Sequence, residues 1–293
     1  MRSLIVLALA LAAARPAPAA VPKVVTDFAP IQSLVMQVMG DLGTPEMLSQ
    51  PGSDPHSFTL KPSQAGALAK ADVIFWDGPE LMPALDSAIK ALGVKALSVP
   101  LLDEGGGKTR TFSDGQTIDP HAWLDPTNAQ AWLGTIATTL SKLDPDHATT
   151  YAANAAQAED ALKTLDAQLT KELAPARGKP IVEFHDAMGY FAAHYGLNII
   201  ANIELGDAAK PSAGRLAELR QTLVGGGAVC VFPEAGRDPR YINVVTAGTG
   251  TRIGAPQDPA GVMLTEPPTA DFYGKLLTDL AKTISDCIAG PKP

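Results

Sequence analysis

Five histidines occur in the chain, and three of them sit in settings that suit a metal ligand. His56 closes the turn Ser53-Asp54-Pro55-His56, and His121 closes Asp119-Pro120-His121. An Asp-Pro pair therefore stiffens the backbone ahead of both rings. His185 directly follows the apolar run 180–184 and precedes a helix-like segment beginning at Asp186. A single histidine is most often solvated or hydrogen-bonded within the fold. Two Asp-Pro-His tripeptides among five histidines are hard to ascribe to chance, and the three imidazoles are candidates for one metal site. His147, in Asp144-Pro145-Asp146-His147, opens a long helix and reads as solvated. His194 lies nine residues beyond His185, about 180° round a helix, and is expected to point away from it. The fourth ligand should be an oxygen donor. Glu234, Asp238 and Asp258 are available, and Asp258, in Gln257-Asp258-Pro259, shares the turn setting of the histidines.

These residues need a frame that brings distant turns together. Strand-like runs at 23–27, 71–76 and 95–99 alternate with helix-like segments at 30–42 and 79–92. A helix from Pro126 to Leu143 follows a Gly-rich polar loop at 104–116, and Asp125 is expected to cap it. The alternation resumes with strands at 180–184, 198–203, 228–232 and 252–255 and helices at 186–195, 211–223, 238–247 and 269–288. Such alternation implies parallel sheets with crossover helices, whose ligands gather at the carboxyl ends of strands. Between the halves runs a stripe of Tyr151, Ala155, Ala158, Leu162, Leu165, Leu169 and Leu173, at helical spacing throughout. With Asp144 as N-cap and Pro145 in the first turn, this predicts one helix of about 28 residues, about 42 Å long. Trp76, Trp123 and Trp132 read as core or cleft wall. Glu204 and Asp207 read as surface residues of a loop.

Composition narrows the function. The 293 residues carry a formal charge of −8 with no basic cluster, which excludes nucleic acid as a partner. Residues 1–20 have a cationic start, an apolar run from Leu4 to Ala14 and an Ala17-Pro18-Ala19 cleavage pattern, the layout of a signal peptide. That apolar run falls short of the ~20 residues that span a bilayer. The remaining chain exceeds one ordinary core, so two lobes are expected, 21–143 and 176–293, joined by a connecting helix at 144–175. Export to an oxidising compartment makes a Cys230–Cys287 disulfide the default for the two cysteines.

Taken in order, GSDPHSFTLKPSQ (52–64), ADVIFWDGPELMP (71–83), DPHAWLDP (119–126), EFHDAMGYFAAHYGL (183–197), CVFPE (230–234) and QDPAG (257–261) form a pattern. It resembles the metal-specific solute-binding proteins of bacterial ABC importers, in particular their zinc branch. The resemblance implies an α/β fold of two Rossmann-like lobes with parallel sheets, joined by one long rigid helix, with the metal in the cleft. It implies His56 and His121 as ligands from the first lobe, and His185 and Asp258 from the second. It matches Cys230 and Cys287 to the cysteine pair of that branch. The implied cargo is Zn²⁺ and the implied partner is the membrane permease of a zinc ABC importer. The implied setting is the periplasm, with a monomeric chain, no enzymatic activity, and room for a periplasmic zinc chaperone. The third ligand distinguishes the metals: the manganese branch has a glutamate where this chain has His185, and three imidazoles suit Zn²⁺ better than the harder Mn²⁺. The chain departs from the branch at 103–117, which is short, holds Lys108 and Arg110, and lacks the usual histidines. Competing readings are a manganese or iron importer component of the same fold, an adhesin-like role, and a secreted zinc hydrolase. The hydrolase would need an open coordination position and a base such as Glu183 or Glu234, and neither H-E-x-x-H nor G-x-S-x-G is present.

Overall fold

β-branched and aromatic runs supply the strands. The structure is a computed structural model that describes residues 20–204 and 210–290. The expected signal peptide, apart from Ala20, and Asp207 lie outside the described residues. Val24–Thr26 (β1), Glu46–Met47 (β2), Val73–Trp76 (β3) and Leu97–Pro100 (β4) form a parallel sheet in the order β2-β1-β3-β4. Pro180–Glu183 (β5), Asn198–Asn202 (β6), Cys230–Val231 (β7) and Arg252–Ile253 (β8) form a second, in the order β6-β5-β7-β8. Numbered from its own first strand, each lobe has the same order. The central strands β1, β3, β5 and β7 are buried almost throughout, as parallel strands covered on both faces must be, while β2, β6 and β8 at the edges are partly exposed.

The first lobe contributes helices Ala29–Met39 (α1), Pro62–Leu68 (α2), Pro83–Ala91 (α3), Leu101–Glu104 (α4) and Pro126–Leu143 (α5). The stripe at 151–173 becomes Ala148–Glu172 (α6), a helix of 25 residues. The second lobe adds Gly189–Tyr195 (α7), Ala213–Gly225 (α8), Arg240–Thr246 (α9) and Phe272–Ala289 (α10). Several starts differ from the sequence expectation for identifiable reasons. The segment 79–92 becomes helical only at Pro83, because a proline inside the helix would clash with the carbonyl four residues back. The helix expected from Pro211 starts after Ser212, whose side chain accepts the N–H of Arg215. α7 does stop at Gly196, where φ is 72° and a side chain would be strained. α6 is flanked by 3₁₀ turns at Pro145–His147 and Ala174–Ala176. Asp144 stands at the cap position, but its carboxylate takes bonds from His147 Nδ1 (2.7 Å) and Tyr151 Oη (2.9 Å) instead of a backbone N–H.

The predicted stripe packs as expected. Tyr151, Ala155, Ala158, Leu162, Leu169 and Leu173 are buried, and Leu165 is half-buried against the same core. α6 lies against α1, α5 and α10. One hydrophobic core therefore runs from β1 and β3 through α6 and α10 to β5 and Cys230. α10 closes the chain by packing on α1 of the first lobe as well as on α6. The expected disulfide is present: Cys230 on β7 and Cys287 on α10 are bonded, with Cα atoms 6.3 Å apart, and the bridge ties the second sheet to this frame.

His194 points away from His185, yet it is not a solvated residue. From α7 its Nε2 lies 2.8 Å from Asp166 Oδ1 on α6, and its Nδ1 lies 3.2 Å from Asp125 Oδ1 at the start of α5. The hydrogen bond with Asp125 raises its pKa; burial opposes this, and the bond and charge of Asp166 add to the rise. A raised imidazole stabilises the fold fully below its unfolded value of about 6.5, and the contribution is lost as pH rises through the folded value. His194→Gln is therefore expected to cost about 2 kcal/mol near pH 6 and much less near pH 9. Urea unfolding of both proteins across that range checks this. A difference that grows with pH would sink it.

Candidate metal centre

Asp-Pro-His turns do what the sequence suggested. Asp54 Oδ1 accepts the N–H of His56 (3.0 Å), and Asp119 Oδ1 accepts the N–H of His121 (3.0 Å). Each carboxylate thus bonds backbone two residues ahead, with proline between them fixing the turn. His56 lies on the 3₁₀ turn Pro55–Ser57, and His121 precedes the turn Ala122–Leu124. Neither is at a strand end, so only His185, directly after β5, occupies the strand-to-helix junction expected for all three. Its position is the crevice between β5 and β7 where strand order reverses. The equivalent crevice of the first lobe holds carboxylates instead. Asp27 accepts the N–H groups of Phe28 (2.8 Å) and Asp77 (2.7 Å), and burial, opposed by these bonds, pushes its pKa up to about 7. The ligands of that lobe come from longer loops.

The three imidazoles converge. Ring centroids are 5.2 Å apart for His56–His121 and His56–His185, and 4.9 Å for His121–His185, a nearly equilateral triangle. His56 Nε2 and His121 Nε2 are 3.3 Å apart. Two nitrogens bound at ~2.0–2.1 Å to one tetrahedral zinc would be about 3.3 Å apart, so this pair already has the edge length of the site. One ligand atom from each of the three lies within 4.8 Å of the others. His121 and His185 are buried and His56 is half-buried. They line a cavity of about 190 Å³ between the lobes, together with Asp54, Glu234, Arg237 and Asp258.

Carboxylates behind two of the rings fix their orientation. Asp119 Oδ1 is 2.8 Å from His121 Nδ1, and Asp119 Oδ2 takes a bond from Arg110 (2.9 Å). Glu234 Oε1 lies 3.4 Å from His185 Nδ1. In both cases Nδ1 faces the carboxylate, which would leave Nε2 to hold a cation and would make it a better donor. Burial would raise the pKa of Glu234, but the bond and charge of His185 and the charge of Arg237 outweigh it and hold the pKa low. Glu183, by contrast, is pushed up to about 8, mainly by burial.

Asp258 lines the same cavity but stands outside the cluster of three. Its Oδ1 accepts the N–H groups of Gly261 and Val262, and its Oδ2 that of Met263, each at 2.8 Å. These donors aim the carboxylate; they fill both lone-pair sites of Oδ1 and one of Oδ2, which leaves a lone pair on Oδ2 for a cation. Asp238, the other second-half aspartate considered, instead pairs with Arg240. Trp123 forms cavity wall: it packs 5.2 Å from the His121 ring, and its Nε1 donates to Pro259 O (2.8 Å) on the Asp258 loop. Trp76 and Trp132 belong to the core. Asp125 caps α5 by accepting the N–H of Thr127. Glu204 is not a surface residue; it is buried and lies 3.7 Å from Arg237. Arg237 went unnoticed in the sequence and Arg110 stood out only as a charge in the 103–117 loop; nothing there marks which carboxylates they will meet.

The family described as zinc-uptake complex component A, periplasmic, matches residues 24–287. The high-affinity zinc uptake system protein ZnuA of Paracoccus denitrificans is 44% identical over 321 residues, covering 98% of this chain and 98% of that protein. The protein of the same name from Brucella suis is 31% identical, covering 91% of each. Among solved structures, a ZnuA crystal structure aligns with a TM-score of 0.78 at 27% identity, over 90% of this chain and 98% of that one. A ZnuA deletion mutant with zinc bound aligns at 0.77 and 26% identity, over 93% and 100%.

Proposed function

The chain belongs to the periplasmic zinc-uptake complex component A family, and on that premise we propose that its cleft captures Zn²⁺ in the periplasm and delivers it to the membrane permease of an ABC importer. The observation that carries this reading is the triangle of His56, His121 and His185, drawn from both lobes and spaced for one tetrahedral ion. Three borderline nitrogens favour Zn²⁺ over Mn²⁺, both by ligand type and by the general affinity order. Asp258 is the fourth ligand in this reading, brought in by a short movement of the loop whose N–H groups hold it. Four protein ligands leave no position for an activated water, so the site binds and does not catalyse. Residues 21–143 and 176–293 act as the two jaws, and 144–175 is the beam between them.

Mass spectrometry of the purified, zinc-dialysed protein tests this directly. One zinc per chain is expected, retained against an excess of Mn²⁺ and weakened by Asp258→Ala. A chain that takes up no zinc, or exchanges it for manganese, would overturn the reading.

A further inference from the structure

Arg237 sits at the mouth of the cavity and touches carboxylates from both lobes. Its Nη2 lies 3.5 Å from Asp54 Oδ2 in the first lobe. In the second lobe its Nη1 is 3.7 Å from Glu204 Oε2, and its Nε donates to Glu234 Oε1 at 3.3 Å. We propose that Arg237 is the latch of the cleft: its guanidinium ties the His56 turn to the carboxylates behind His185, and breaking this tie sets the rate at which the bound metal leaves. The proposal rests on the zinc-capture reading and assigns one residue the control of release.

Two further contacts give the latch its leverage. The other oxygen of Asp54 holds the N–H of His56, and Glu234 Oε1 also faces His185 Nδ1. One guanidinium is therefore a single step removed from a ligand in each lobe. Its planar fork suits several carboxylates at once, which the point charge of a lysine does not. Three carboxylates surround one positive charge. Without it, Asp54, Glu204 and Glu234 would lose the cation they share, and repulsion between like charges would favour parting of the lobes. Two other contacts between the lobes are uncharged. Trp123 bonds Pro259 O, and Gly52, at φ 79°, approaches Leu264 O so closely that an added Cβ would lie 3.3 Å from it. Arg237 is 21% exposed, open enough to respond to salt or to an acidic partner surface.

Stopped-flow release of Zn²⁺ to an excess chelator tests the latch, with zinc stoichiometry measured on the same samples. Arg237→Ala is expected to keep one zinc per chain and release it ~10–100-fold faster, the range for losing one partner of a partly buried charge pair. Arg237→Lys should recover part of the difference. Wild-type release should accelerate with ionic strength, and that of Arg237→Ala should not. Asp54→Asn, which keeps an acceptor for the His56 N–H, should accelerate release to a similar degree, and the double variant should be no faster than Arg237→Ala alone. A residue that only props up Glu234 would give multiplicative effects with Asp54→Asn. If Arg237→Ala does not fold by circular dichroism, Asp54→Asn decides the matter. Release within twofold of wild type in the folded variants, or multiplicative acceleration in the double variant, overturns the latch while leaving zinc capture standing. A wild-type protein without zinc overturns the capture reading itself.

Discussion

Replacing His185 with alanine is expected to weaken zinc binding by at least about 100-fold. Protein zinc sites of four ligands contribute ~10–16 kcal/mol in total, so one imidazole accounts for roughly 3 kcal/mol. That corresponds to about two decades in Kd. Position adds to the arithmetic. His56 and His121 belong to the first lobe, whereas His185 follows β5 in the second and is the only member of the three-histidine cluster there. Without it the ion is no longer shared by imidazoles from both sides of the cleft, and Glu234 loses the ring it orients. Competition with a fluorescent chelator measures the change, with thermal unfolding of the metal-free proteins as a control for packing, since His185 is buried. An unchanged Kd in a folded variant would remove His185 from the coordination shell.

Loss of the Cys230–Cys287 bridge is expected to cost about 4 kcal/mol of stability. The bond closes a loop with a sequence separation of 57, and the entropy such a cross-link removes from the unfolded chain corresponds to about that value. For a protein of this size the Tm should fall by about 10 °C. The bridge fastens β7, the strand that leads to Glu234 and Arg237, to α10, which packs on α6. Calorimetry of the metal-free protein with and without reductant, and of a Cys230→Ser/Cys287→Ser double variant, gives the number. A reduced protein that melts with the oxidised one would show that the bridge contributes nothing to the fold.

What could be read in advance was local. An Asp-Pro-His turn is decided by three adjacent residues, so the orientation of His56 and His121 was legible, and so was the apolar stripe of α6. Central strands were legible because burial on both faces leaves an unbroken apolar run. β2 has two residues and no such run; it exists because β1 offers it a ladder. For His194 the angular arithmetic was right, yet its partners lie on α5 and α6, and no spacing within α7 names them. Arg237, Glu204 and Asp54 illustrate the same limit. Their association belongs to the closed cleft, and only folding brings them together.

The last helix has a consequence for selectivity. Because α10 packs on α1 as well as on α6, widening the gap between the lobes means exposing apolar surface that they share, at roughly 25 cal/mol for each Å². The molecule works less like a pair of hands than like a calliper set at the factory. If the site holds an ion as proposed, a larger one would have to prise that shared surface apart to fit.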